Sequence, residues 1–239
     1  MKGDAPTLAE VLESAARLQE VVPDAVLVGG SAAAFYAAHR VSFDHDHVLA
    51  DLGKRFDSVL EAIERTDGWV TNRVVPYKII LGELGDIEAG VRQLIRARPI
   101  EVVEVALASG RSLRVPTIEE ILRIKGYLLV TRNQTRDFLD VAALSERTGL
   151  RAAASVLAGI DDYYDAQRAG GLAVASQLVR QLSEPKPNDS RTVRELKRYK
   201  QLEERWHDWS AVTDQCRELA RSMLRSKSRS GTEGNDVGA

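Results

Sequence analysis

The sequence predicts an α+β fold: a small mixed sheet with flanking helices, followed by an all-helical C-terminal region. Three observations carry that prediction. Short apolar or alternating runs bounded by Gly, Pro and Asp recur up to about residue 115. Beyond Pro116 the apolar residues recur at helical spacing, broken at Gly170-Gly171 and over 183–190. The chain has 239 residues, 44% hydrophobic and 28% charged, enough for two modest domains. The expected division is an α/β domain over 1–115, a helical domain over 116–229, and a polar, Gly-containing tail over 230–239 expected to be disordered.

Each element has a local reason. Thr7-Leu8-Ala9-Glu10 is a capping box that opens a helix to about Glu20, ended by Pro23-Asp24. Ala25-Val26-Leu27-Val28 is a continuous apolar run, the mark of a buried strand. Gly29-Gly30 breaks it, and Ser31 opens an Ala-rich helix to about His39. Val41 to Leu49 reads as a second strand. Lys54 to Arg65 has helical periodicity, with Phe56, Val59, Leu60 and Ile63 on one face. Trp69 to Leu81 holds one or two strands interrupted by Pro76, and Ile87 to Ile95 is ambiguous between strand and short helix. Ile100 to Leu107 and Leu113 to Val115 form a hairpin around Ser109-Gly110-Arg111. Thr117-Ile118-Glu119-Glu120 is a second capping box and starts a helix to about Val130.

Bulk properties narrow the function classes. A formal charge of −2 gives no global pull toward nucleic acid. Cys216 is the sole cysteine, so no internal disulfide forms, and no Cys/His spacing points to a structural zinc. The first residues lack the apolar core of a signal peptide, and no stretch has the length of an apolar membrane span. The expectation is a cytoplasmic protein with no membrane partner.

Two elements carry chemistry. In the strand–Gly29-Gly30-Ser31–helix unit, glycines let backbone approach a bulky anion, and the helix start turns free N–H groups and its positive dipole end toward it. Ser31 is expected both to cap the helix and to donate to a phosphate oxygen. The unit is neither a P-loop, since no Gly-Lys-Ser/Thr follows, nor a three-glycine dinucleotide fingerprint. The second element is Ser42-Phe43-Asp44-His45-Asp46-His47-Val48. On a strand, i and i+2 share a face, so Asp44 and Asp46 project side by side and repel unless a cation lies between them. Two oxygen donors suit magnesium, which also takes substrate phosphates. An EF-hand is excluded, because Leu49 and Arg55 stand where Gly and Glu are needed.

A Gly-Gly-Ser turn into a helix, with Asp-x-Asp on the next strand, resembles the nucleotidyltransferase superfamily of the DNA polymerase beta type. Downstream, Lys125-Gly126-Tyr127-Leu128-Leu129-Val130-Thr131-Arg132 and Arg136-Asp137-Phe138-Leu139-Asp140 resemble the Lys…Arg…Arg-Asp-x-x-Asp segment of the AbiEii/AbiGii toxin family. Members of that family are minimal nucleotidyltransferases often found beside a cognate antitoxin. The resemblance covers roughly residues 20–150. It implies a minimal nucleotidyltransferase fold. It implies a transferase that moves a nucleoside monophosphate from an NTP to a hydroxyl of RNA (tRNA) or protein, as the toxin of a toxin–antitoxin pair.

The same resemblance distributes roles. Gly29, Gly30 and Ser31 would hold the β- and γ-phosphates, and Asp44 and Asp46 would ligate Mg2+ (or Mn2+). Lys125 would lie near the triphosphate, Arg132 and Arg136 would orient phosphate or RNA, and Asp137 would position Lys125 or Arg132. Sites of this type add a third carboxylate from a neighbouring strand. Glu88 is taken for it, with Asp86 adjacent in sequence and Glu83, Glu101 and Glu104 behind. His45 departs from the pattern, standing where an apolar or small residue is usual.

Other readings compete. An unplaced third carboxylate leaves open a catalytically inactive binding or regulatory module. A metal-dependent hydrolase using His39, His45, His47 and the two aspartates requires strand neighbours that alternation puts on opposite faces. From Lys186 to Arg229 twelve Lys/Arg face seven Asp/Glu, interleaved with Tyr199, Trp206 and Trp209. That segment is either a surface for single-stranded RNA or a helical bundle with Trp core anchors.

Overall fold

The computed structural model describes residues 5–167 and 171–233. They form two compact units that divide between Thr117 and Ile118.

The first unit opens with α1 (Leu8–Val21). At its start the Thr7 hydroxyl accepts from the Glu10 N–H at 3.3 Å and the Glu10 carboxylate accepts from the Thr7 N–H at 2.8 Å, closing the capping box. There follow β1 (Val26–Val28), α2 (Gly29–Ala37), β2 (Asp44–Leu49), α3 (Leu52–Glu64), β3 (Trp69–Val75), β4 (Ile79–Leu84) and β5 (Ile87–Gln93). The hairpin β6 (Val102–Ala106) and β7 (Ser112–Pro116) ends the unit as a separate two-stranded sheet.

Five strands pair in the order β1-β2-β5-β4-β3. β2 and β5 run parallel and every other pair is antiparallel. Parallel pairing needs a crossover, here supplied by α3 and the β3–β4 hairpin. The segment at 87–95, ambiguous by periodicity, is therefore a strand at the centre of the sheet. Leu18 from α1 and Val22 just after it, with Leu52, Phe56, Val59 and Ile63 from α3, pack against Leu49, Ile80, Leu84 and Val91 of one sheet face. That burial orients β2: His45, His47 and Leu49 are buried, while Asp44, Asp46 and Val48 are half-exposed on the other face.

Three boundaries differ from the sequence reading. α2 begins directly at Gly29 with Val28 as its N-cap, and no side chain caps it. Gly29 takes φ +78°, a conformation that lets the chain pass from strand to helix without a connecting loop. β2 begins at Asp44 rather than Val41. The helix placed from Lys54 already starts at Leu52.

The second unit contains α4 (Ile118–Arg132), α5 (Thr135–Thr148), α6 (Leu150–Ala158), α7 (Asp161–Tyr164), α8 (Val174–Ser183), α9 (Ser190–Arg194) and α10 (Trp209–Glu233). Val212, Cys216, Leu219 and Met223 recur at helical spacing along α10 and are buried, packing it against α5, α6 and α8. The helix runs on past Ser230, so the expected disordered tail is helical to Glu233, and the rest of that call, 234–239, lies outside the described residues along with Gly170 and residues 1–4. Trp206 is fully buried, and Trp209 meets Phe138 edge-on with ring centroids 5.9 Å apart. Trp206 is a core anchor, while Trp209 is half-buried. Cys216 is a free, buried thiol, pushed up in pKa by burial. Among the described residues no helix is long and apolar enough to cross a membrane.

The inward histidines make the first unit acid-sensitive. Burial pushes His45 down to about 4, opposed by neighbouring Asp44, and pushes His47 well below its ordinary 6.5, with His45 adding to the effect. Unfolded histidines take up protons first, so stability is full above the ordinary value and falls as pH drops from 6.5 toward 4. The expected loss approaches about 1.4 kcal/mol per pH unit for each histidine. Urea midpoints between pH 7 and 4.5 should fall accordingly, and His45→Gln should remove about half of the slope. A midpoint flat across that range, or a slope unmoved by the substitution, contradicts the burial argument.

Candidate active site

The open face of the sheet holds a cleft of about 240 Å³ lined by Asp44, Asp46, Glu88, Arg92, Leu81 and Asn72, among others. Both aspartates reach it because β2 alternates, and both side chains are anchored. The Ser42 hydroxyl donates to Asp44 Oδ1 at 2.8 Å. Arg92 Nε donates to Asp46 Oδ1 at 3.2 Å across the β2–β5 pair. Asp46 Oδ2 lies beside Gly29, where a Cβ would come within 3.5 Å of it. The tip of α2 and the carboxylate pair are therefore adjacent.

The glycine turn is filled in a way the sequence reading did not foresee. A Cβ on Gly30 would fall 2.3 Å from Ser42 Oγ and 2.9 Å from Arg40 Nη2. Gly30 is needed because Arg40 and Ser42, both buried, press against its Cα. Ser31 also differs from expectation. Its side chain is fully buried, and its hydroxyl donates to the Asp44 backbone carbonyl. That proton ties α2 onto β2, and the hydroxyl does not cap the helix. What remains toward an anion is the first-turn backbone N–H groups and the Arg40 guanidinium beside them. Arg40 and Ser42 were missed, although Arg40-x-Ser42-x-Asp44-x-Asp46 is a polar stripe of period two that continues the strand's alternation backward.

Among the carboxylates considered for a third position, Glu88 lines the cleft. It is exposed and pairs in register with Asp44. Glu83 instead accepts from the Asn72 amide at 3.1 Å, and Asp86, Glu101 and Glu104 are exposed elsewhere. No group of three or more His, Cys, Asp or Glu is placed to hold a metal among the described residues. The donor set fits a hard cation that takes one or two carboxylates and completes its shell with water and phosphate oxygens. The histidines do not join it. His45 Nε2 lies 3.0 Å from Ser14 Oγ, and His47 meets His45 edge-on at 5.3 Å, on the core side of the same strand.

The downstream group sits within the helical unit. Lys125 is buried, with Nζ 2.7 Å from Asp140 Oδ2. Asp137 is buried beside them. Burial pushes its carboxyl up, partly countered by Lys125 and by Arg132 and Arg136, both exposed. Lys125 thus has an intimate acidic partner inside its own unit, which the expectation of a lysine on the triphosphate did not include. Asp140, not Asp137, is that partner.

No family model matches the chain. Its curated relatives are stretches of longer proteins. It is 34% identical over 203 residues to the heme uptake protein MmpL11 of Mycobacterium tuberculosis, covering 75% of this chain and 19% of that protein. It is 39% identical over 129 residues to the mycolic acid-containing lipids exporter MmpL11 of Mycolicibacterium smegmatis, covering 54% and 13%. The chain spans about a fifth of the length of the curated relatives it matches. Among solved structures it is similar to MenT4, a nucleotidyltransferase toxin of Mycobacterium tuberculosis, with TM-score 0.57 and 18% identity over 91% of this chain and 84% of that one. That likeness shows the nucleotidyltransferase fold.

The two neighbouring positions should separate by experiment. Ser31→Ala removes one buried hydrogen bond and should lower stability by about 1–2 kcal/mol, with nucleotide affinity held within about twofold. Gly30→Ala must displace Arg40 and Ser42 and should weaken nucleotide binding about tenfold. Thermal melts and calorimetric titration with NTP and Mg2+ check both. Equal loss of affinity in the two variants would return Ser31 to the phosphate.

Proposed function

We propose that the chain is a nucleotidyltransferase that moves a nucleoside monophosphate from an NTP to a hydroxyl of RNA (tRNA) or protein. One observation carries this reading: Asp44 and Asp46 enter a single cleft from one face of β2, and Gly29 at the tip of α2 lies against Asp46. A triphosphate with its β- and γ-phosphates at that tip presents its α-phosphorus over the aspartates. Mg2+ (or Mn2+) bound there would neutralise charge on the phosphates and lower the pKa of the attacking hydroxyl. Asp44 and Asp46 would hold that ion, and the first-turn N–H groups with Arg40 would hold the phosphates. The acceptor oxygen bonds to the α-phosphorus, the bond from that phosphorus to the bridging oxygen of the β-phosphate breaks, and pyrophosphate leaves. Glu88, the third carboxylate of the cleft, takes the hydroxyl proton.

The AbiEii/AbiGii resemblance supports a toxin paired with a cognate antitoxin, acting in the cytoplasm. In the helical unit, Arg132 and Arg136 are kept as phosphate- or RNA-contacting residues. Lys125 ties α4 to α5 through Asp140, with Asp137 buried beside the pair. A second reading, a non-catalytic nucleotide-binding or regulatory module, is favoured by the Arg92–Asp46 ion pair and by the two-carboxylate set.

Each α-labelled NTP, supplied with Mg2+ and total RNA or cell protein, should yield a labelled acceptor. Asp44→Asn and Asp46→Asn should each lower the rate at least about a hundredfold, on the order of 3 kcal/mol. Label transfer indifferent to both substitutions sinks the assignment. Tight NTP binding with no product under any acceptor selects the second reading.

A further inference from the structure

The cleft has a second end that the nucleotide does not use. Register places Val28, Asp46, Gly90, Leu81 and Arg73 in one row across the sheet, from β1 to β3. Paired residues share a face, so Asp46 and Arg73 point to the same side, three strand spacings or about 14 Å apart. Between them the row is low and apolar. Gly90 has no side chain, and a Cβ there would fall 2.8 Å from Leu81 Cδ2 and 2.9 Å from Asp46 Oδ1. Leu81 therefore lies over Gly90 and forms a floor. At the far end β3 carries a bulge between Thr71 and Arg73. The extra residue is Asn72, and bulges re-aim neighbouring side chains. Asn72 and Arg73 both line the cleft. Arg73 is exposed and, among the described residues, has no carboxylate partner, whereas Arg92 in the same cleft is paired with Asp46.

Direction decides what this end is for. Attacking and leaving oxygens stand roughly in line through phosphorus in nucleotidyl transfer. The α2 tip, at the β1–β2 side, takes the leaving pyrophosphate under the proposal above, on which this inference rests. The acceptor hydroxyl must then arrive from the opposite side, over β5, β4 and β3. The ligand that fits offers a hydroxyl at the Asp end, a flat face over Leu81 and Gly90, and an anion at Arg73. We infer that Leu81, Asn72 and Arg73 form an acceptor subsite for the terminal nucleotide of a single-stranded nucleic acid. Its hydroxyl meets the aspartates, its base lies on Leu81, and its phosphate pairs with Arg73. A side-chain hydroxyl of a protein carries neither the π-face nor the phosphate.

The test uses the full chain and a 5′-fluorescein-labelled RNA octanucleotide with a free 3′-hydroxyl, read by fluorescence anisotropy across a salt series. Arg73→Glu should weaken binding about tenfold or more and reduce the salt slope by close to the ~0.7 expected for one single-strand phosphate contact. Arg73→Lys should retain most of the affinity. Affinity for each of the four NTPs with Mg2+ should stay within about twofold in both variants. The inference is overturned if the wild type does not bind the oligonucleotide, if Arg73→Glu binds it as well as wild type, or if NTP and oligonucleotide affinities fall together. It is also overturned if label passes to protein at a rate indifferent to Arg73. Arg73-dependent RNA binding with no NTP binding would instead retain the subsite and remove the nucleotidyltransferase reading.

Discussion

The register of β2 is the constraint on which the rest depends. Its residues alternate between a core made by α1 and α3 and an open cleft, so a slip of one position would exchange His45 and His47 for Asp44 and Asp46. Buried carboxylates without partners cost far more than buried neutral imidazoles, and the two histidines are kept neutral by the same burial that fixes them. The contact of His45 with Ser14 on α1, and the bond from the Ser31 hydroxyl to the Asp44 carbonyl, hold the strand in this register. The residues that look like extra metal ligands in the sequence are thus the ones that keep the acids pointing outward.

Each aspartate of the cleft has a partner of its own within the chain. Asp44 is held by Ser42, and Asp46 by Arg92. The Arg92 pair is partly exposed, so its attraction is modest and screened. A divalent cation bringing phosphate oxygens offers the same aspartate a stronger partner, and the phosphates offer Arg92 a new one. Under the proposed function, an ion pair of this strength makes two like carboxylates on one strand tolerable and would yield to a bound cation. Gly90 matters to the same balance, since any side chain there would stand between Leu81 and Asp46.

Much of this was legible in the sequence, for identifiable reasons. The Thr7–Glu10 capping box, the alternation that aims Asp44 and Asp46, and the apolar run at Val26–Val28 are local signals, and local signals survive into the fold. Ser31 misled because its place after two glycines is the same whether its hydroxyl faces a phosphate or a carbonyl. Only the packing of α2 on β2 decides that. Ser42 was counted with the strand but given no role, and Arg40 lies just before it, because their approach to Gly30 exists only once α2 packs beside β2. Glu88 was taken for the third carboxylate on sequence order alone, with other acids behind it, and the parallel β2–β5 pairing supplies the physical reason that it stands beside Asp44. Arg73 and Leu81 are further still from any motif. Their relation to Asp46 exists only through four paired strands.

Under the proposed function, that row also gives a small sheet room for two ligands. A helix tip covers only one side of a carboxylate pair, so the phosphate-holding apparatus is confined to the β1–β2 end, where α2 packs. In-line chemistry leaves the opposite side for the acceptor, and here that side is built from a hairpin, β3–β4, joined to the sheet through β5. Ile80 and Leu84 of that hairpin are fixed in the core, but its open face, with β3 at the edge and a bulge at Asn72, presents exposed positions that the core does not constrain. A fold arranged this way can keep its nucleotide end fixed by register while its acceptor end changes by substitutions at positions such as Asn72 and Arg73.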